Sequence, residues 1–261
     1  MRRLSPALLL AAAACASAPL GPPPKPIELG HGVLSVEAES AEDAAELAVV
    51  ARAAEQALPA LEQFGKPQAP VRVLLLPSHA ALERATHRYG YRWLRAWSRF
   101  DVVLLQSPRT WGLFLGSEGQ IARLLTHELT HCAMFQAAGT ARSWTHEEIP
   151  LWFREGMASV VAGEEGRRWS ARELGETLRE SPRLDPLSAG EAMQREDPAF
   201  VYSVAHWAYV LFERRFGEQG VRALLALLRE GRDWADAFES VSGESERAFE
   251  RSFVQELTAL R

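Results

Sequence analysis

Leu124-Leu-Thr-His-Glu-Leu-Thr-His-Cys-Ala-Met-Phe-Gln136 is the stretch from which the rest of the chain can be read. It contains His127-Glu128-Leu129-Thr130-His131, an H-E-x-x-H pattern. Residues four apart lie one above the other on a helix face, so two imidazoles at this spacing can grip one metal ion. Glu128, beside the first His, is then within reach of a water on that ion and can act as general base. Ile121, Leu124, Leu125, Leu129, Cys132 and Phe135 give the apolar pattern of a buried helix, with no Gly or Pro between them. The plain alternative is a core helix that happens to carry two His. A third ligand, a suitable compartment and suitable surroundings decide between the two.

Working outward toward the N-terminus, Phe100–Gln106 and the apolar run Val71–Leu76 read as strands, the second of them central in a sheet. Gly32–Ala38 alternates apolar and polar and reads as a third strand. A helix is expected from Ser40, capped by Ser40 with Asp43, to about Phe64, with Pro59 ending or kinking it. Another runs from about His79 to Arg88. Ser117-Glu-Gly-Gln opens the metal helix, about 117 to 137. Tyr89-Gly-Tyr-Arg-Trp93 reads as irregular, and the aromatic cluster Tyr89–Trp97 could line a pocket but is more often core.

Toward the C-terminus the chain is helical: about Leu151–Val161 behind Pro150, Ser170–Glu180, Ser188–Gln194, Asp197–Phe216 with Gly217 as C-cap, Gln219–Arg229, Trp234–Val241 and Ser245–Leu260. Gly163–Gly166 reads as a break. The fold class is therefore α+β: a small mixed sheet with helices, then the H-E-x-x-H helix, then a mainly helical lobe. One domain, 30–261, is expected, with an α/β lobe at 30–137 and a helical lobe at 138–261.

Met1-Arg-Arg followed by the short apolar run Leu4–Ala14 reads as a secretory signal. Ala12-Ala-Ala-Cys15 resembles a bacterial lipobox, which implies residues 1–15 as signal, a lipid-anchored Cys15, attachment to a membrane and an extracytoplasmic location; the competing reading is ordinary cleavage near Ala16-Ser17-Ala18, disfavoured by Pro19 directly after it. Residues 16–29 are Pro-rich and read as a tether. Cys15 and Cys132 are the two cysteines of the chain. With Cys15 lipidated or removed, Cys132 has no disulfide partner and reads as core packing. The formal net charge is -5, which argues against a nucleic-acid partner.

A metal held for catalysis needs three protein ligands. The longer pattern x-x-G-x-x-H fails here, since Met134 and Ala137 occupy its positions. The best third ligand is Glu155 in Trp152-Phe-Arg-Glu-Gly-Met-Ala158, 24 residues after His131, on a helix that can return over the metal. Gly156 and Ala158 beside it are small, as close helix packing requires. His127, His131 and Glu155 then form an N,N,O set with an open position. His146-Glu147-Glu148 is a weaker source of a ligand, without a spacing argument.

Across residues 30–261 these blocks resemble the gluzincin peptidases, most closely the bacterial proteins called peptidase MA-like. The shared blocks are H-E-x-x-H, then W-x-x-E-G-x-A, then a Tyr-bearing helix ending in Gly. The resemblance implies a zincin-like fold, Zn²⁺ on His127, His131 and Glu155, Glu128 as general base, and a peptide or protein substrate. It also implies that Phe100–Gln106 is the edge strand that pairs with extended substrate. Tyr202 falls where relatives place a Tyr that steadies the oxyanion, and His206 or Tyr209 on the same helix face is a substitute for it. The spacing to Glu155 is longer than in the aminopeptidase branch, so that branch's specificity is not implied. The rival expectation is a zinc-containing lipoprotein that binds a partner and catalyses nothing.

Overall fold

A computed structural model describes residues 22–112, 116–144 and 149–260. The signal and lipobox segment 1–15, and His146-Glu147-Glu148, lie outside the described residues. The chain is α+β. Its elements in order are β1 Ile27–Leu29, β2 Leu34–Ala38, α1 Ala44–Glu62, β3 Val71–Leu76, α2 His79–Thr86, β4 Ala96–Ser98, β5 Val102–Gln106, α3 Glu118–Ala138, α4 Leu151–Val161, α5 Ala171–Glu180, α6 Gly190–Met193, α7 Pro198–Arg229, α8 Trp234–Ser242 and α9 Glu246–Ala259.

The strands form one mixed sheet in the order β1-β2-β3-β5-β4. β2, β3 and β5 run parallel, and β1 and β4 close the two edges antiparallel. β5 is buried at all five positions, which fits a strand with neighbours on both sides and cover on both faces. This corrects the expectation that Phe100–Gln106 is the edge: beside it the edge is β4, a three-residue strand with no counterpart among the expected elements. β1 falls within the stretch read as a tether.

One face of the sheet packs on α1 and α3 through Leu34, Val36, Val73, Leu75, Val103 and Leu105 against Val50, Ala54, Leu125 and Leu129. α2 covers part of the other face, where Leu82 meets Leu76, Val102 and Leu104. The second lobe has its own core. Trp152 and Phe153 of α4 pack against Phe212 of α7 and Phe238 of α8, and Trp152 also stacks on Phe249 of α9. α3 lies between the lobes and contacts both, so every residue from His127 to Gln136 is buried.

Local signals fix the helix ends. Ser117 and Gln120 form a full capping box at the start of α3. Ser40 instead accepts from the Glu42 amide and opens a short 3₁₀ turn before α1. Pro59 sits in the last turn of α1, and the helix continues past it to Glu62. α7 breaks at Gly217, whose φ of 66° leaves the helical region, and a second helical segment follows directly. Among the described residues no helix is long and apolar enough to cross a membrane.

Candidate metal centre

α3 carries His127, Glu128 and His131, with relative exposures of 8%, 7% and 6%. α4 brings Glu155, 4% exposed, up to the two imidazoles. Glu155 Oε2 lies 3.3 Å from His127 Nε2 and 3.6 Å from His131 Nε2. One donor atom from each of the three lies within 4.8 Å of the others. Burying two imidazoles and a carboxylate is costly unless something between them satisfies all three. Two nitrogens and one oxygen converging on one point fit a metal ion. The Nε2 atoms of both imidazoles face Glu155, and both Nδ1 atoms are buried without a hydrogen-bond partner.

α4 reaches this position because of Gly156. A Cβ built there would stand 2.2 Å from the Ala205 carbonyl oxygen and 2.6 Å from Tyr209 Cβ, both on α7. The two helices therefore touch backbone to backbone, which sets the depth at which Glu155 sits. Arg154 is clamped beside it, donating to the Ile149 carbonyl at 2.8 Å and to Glu191 at 2.6 Å.

A further carboxylate completes the surroundings. Glu164 Oε2 lies 3.4 Å from His127 Nδ1, on the side of the ring away from Glu155. It is buried in the turn after α4, where the sequence shows only a break between two glycines. Arg168 donates to Glu164 through Nη2 and to Ser159 Oγ through Nε at 2.9 Å. The Glu164–His127 contact has ion-pair distance without hydrogen-bond geometry, so Glu164 acts on His127 through its charge. A carboxylate nine residues past the ligand had no spacing rule to mark it.

The charges of the cluster are coupled. Burial works against the charged form of Glu155, yet His131 and His127 hold its carboxyl well below the usual range. Burial also works against His127, and Glu155 and Glu164 outweigh it, holding the imidazole up at about 10. Glu164 is held down to about 2 against burial by His127 and Arg168. Glu128 moves the other way: burial raises it, only partly offset by His127, His131 and Ser98. A carboxylate made more basic than usual is suited to taking a proton.

These residues open on a cleft of about 530 Å³. Its lining includes Ala96, Trp97 and Ser98 of β4, His127, Glu128 and His131 of α3, Glu155 of α4, and Tyr202 of α7. The ladder to β5 shows which way the edge strand faces. The Arg95 carbonyl accepts from the Gln106 amide, the Arg99 amide donates to the Val102 carbonyl, and Trp97 pairs with Leu104 between them. Antiparallel strands alternate, so the amides and carbonyls of Ala96 and Ser98 point away from β5 toward the open edge.

Tyr202 lines the cleft. Its hydroxyl oxygen accepts from Gln194 Nε2 at 3.1 Å, and Trp93 packs edge-on against its ring. Burial, with Glu155 nearby, holds its pKa well above the ordinary value, so the phenol keeps its proton. His206 is elsewhere. It is 3% exposed, its Nδ1 lies 3.0 Å from Ser159 Oγ, and it is not among the residues lining the cleft. Helix periodicity put Tyr202 and His206 on one face, but α4 packs against that face and takes His206 into the core. Tyr209 is also buried there, edge-on to Phe153. Cys132 is fully buried, its thiol donating to the Arg99 carbonyl.

No protein-family model matches the chain, and no curated protein matches it.

Proposed function

We propose that this chain is a zinc-dependent peptidase of the gluzincin type. The observation that carries the reading is the combination, in one cleft, of a His127/His131/Glu155 donor set with the raised carboxyl of Glu128 directly beside it. A structural metal site is closed by four protein ligands, whereas three protein ligands facing a cleft leave a position for the reactant. Zinc held there acidifies water and polarises a carbonyl oxygen.

The chain's own residues supply the rest. Extended substrate pairs with the amides and carbonyls of Ala96 and Ser98 that point away from β5, which places a peptide bond beside α3. Glu128 Oε1 or Oε2 takes the proton of the attacking water and later delivers it to the leaving amine. Ser98 Oγ holds that carboxylate in place. The Tyr202 hydroxyl, whose oxygen already accepts from Gln194, has its proton free to donate to the developing oxyanion. Glu164, itself held by Arg168, places a negative charge behind His127.

The test is metal analysis of the purified protein beside its Glu128→Gln variant, with mass spectrometry of a digested peptide library. The expected outcome is one zinc per chain in both proteins and cleavage by the first alone, slowed at least ~10²-fold in the variant. Zinc in both with no cleavage by either favours a binding protein. Full activity in Glu128→Gln removes the assignment of the base.

A further inference from the structure

We infer that Arg95 selects substrates carrying an acidic side chain, at the substrate residue that lies opposite Arg95 when the chain is paired along β4. The inference rests on the peptidase reading above and adds a substrate class to it.

Three carboxylates line the cleft, and each is engaged. Glu155 faces both imidazoles, Glu164 is held between His127 and Arg168, and Glu128 accepts from Ser98. Three arginines line it as well. Arg168 is bound to Glu164, and Arg167, with a side chain 57% exposed, lies 3.9 Å from the same residue. Arg95 differs from both. Among the described residues no carboxylate lies within ion-pair distance of it. Its Nη1 donates to two backbone carbonyls, those of Arg92 at 2.9 Å and Leu94 at 3.1 Å, which fix the guanidinium without neutralising it.

The rest of that guanidinium has donors to offer. Partial burial lowers the Arg95 pKa, and among the described residues no acid counters it. A partly desolvated cation in a cleft, without an ion-pair partner among the described residues, is an unfavourable arrangement that an incoming carboxylate relieves, through charge-assisted and often bidentate hydrogen bonds.

Register gives the position. Arg95 immediately precedes β4, with Ser98 at its far end beside Glu128. A substrate strand continuing the sheet places one residue opposite Ser98 and another, three places along, opposite Arg95. Trp93 and Trp97 of the same segment line the cleft beside it, and a chain lying there passes over their rings.

The test uses the full chain carrying Glu128→Gln and loaded with zinc, which separates binding from turnover. The probes are short acetylated and amidated Ala/Gln peptides with a single Glu walked along them, titrated by tryptophan fluorescence. At one position Glu should tighten binding about tenfold over Gln. Arg95→Gln should erase that difference and Arg95→Lys should keep most of it. Arg95→Glu should turn the preference toward peptides with Lys at the same position. Equal binding of Glu and Gln peptides before substitution overturns the inference. So does a preference that survives Arg95→Gln, or a failure to bind any of the peptides. Incubating the same peptides with the unsubstituted protein tests the peptidase reading separately. Cleavage indifferent to Glu leaves a peptidase without this specificity. Glu-dependent binding with no cleavage leaves Arg95 as the anion-reading residue of a binding cleft and removes the peptidase.

Discussion

Ser98 Oγ lies 2.5 Å from Glu128 Oε2 and 2.9 Å from the Glu128 carbonyl oxygen, joining the edge strand to the residue next to the first metal ligand. The contact is buried, and the hydroxyl is the hydrogen-bond partner of the carboxylate on that side. Removing it frees the Glu128 side chain to leave the orientation from which it takes a proton. Ser98→Ala should lower kcat about tenfold with zinc content unchanged. Ser98→Thr, which keeps the hydroxyl, should recover most of the loss. Steady-state kinetics on any cleaved peptide decides it, and an unchanged kcat in the Ala variant would contradict it.

His127 gives a prediction about protons. In protein stripped of metal, burial opposes its charge, but Glu155 and Glu164 hold its pKa up at about 10. A ligating imidazole must be neutral, so zinc binding at pH 8 should release about one proton. Calorimetric titration in buffers of different ionisation enthalpy counts it, and Glu164→Gln should reduce the count. The same raised pKa stabilises the stripped fold: the contribution is fully present below about pH 6.5 and is lost as pH rises through about 10. The Tm of stripped protein should therefore fall across that interval. A flat Tm with no proton release would show that His127 is not held in this way.

Gly156→Ala should be damaging for a residue that carries no chemistry. The added Cβ would meet the Ala205 carbonyl oxygen at 2.2 Å, so α4 and α7 must part. Overpacking of this kind costs about 1–3 kcal/mol, and it moves Glu155 away from the imidazoles. Thermal unfolding should show the loss and zinc titration a weaker affinity. Gly119→Ala, where a Cβ meets nothing within 4 Å, is the control.

Tyr202→Phe should lower kcat by about 10²-fold with KM little changed, since the hydroxyl acts on charge that develops only in the transition state. His206→Gln should instead appear in stability, because His206 is bonded to Ser159 inside the helical core. If the kinetic loss follows His206 rather than Tyr202, the oxyanion role is misplaced.

Much of this centre was legible in the sequence because helical spacing is local. His127 and His131 are one turn apart, and Glu155 sits in a motif beside small residues that mark close packing. The class of fold was legible for the same reason, from the apolar run of β3 and the long helical patterns after residue 150. What stayed hidden depends on tertiary contacts. β4 has three residues, too few to show an alternating pattern, and the family resemblance points to β5 as the edge, though its apolar run marks a strand paired on both sides. Glu164 acts only because the turn after α4 folds back behind His127. His206 shares a helix face with Tyr202, and sequence cannot tell that α4 covers one and leaves the other open.

The close approach at Gly156 also bears on how an ion would enter. α4 is fixed to α7 by backbone contact and by the aromatic packing of Trp152 and Phe153, none of which involves the donor atoms. Loading this chain should therefore resemble filling a rigid socket. Little apolar surface changes hands, so the heat capacity of metal uptake should be small, and chelators should empty the site without unfolding the protein.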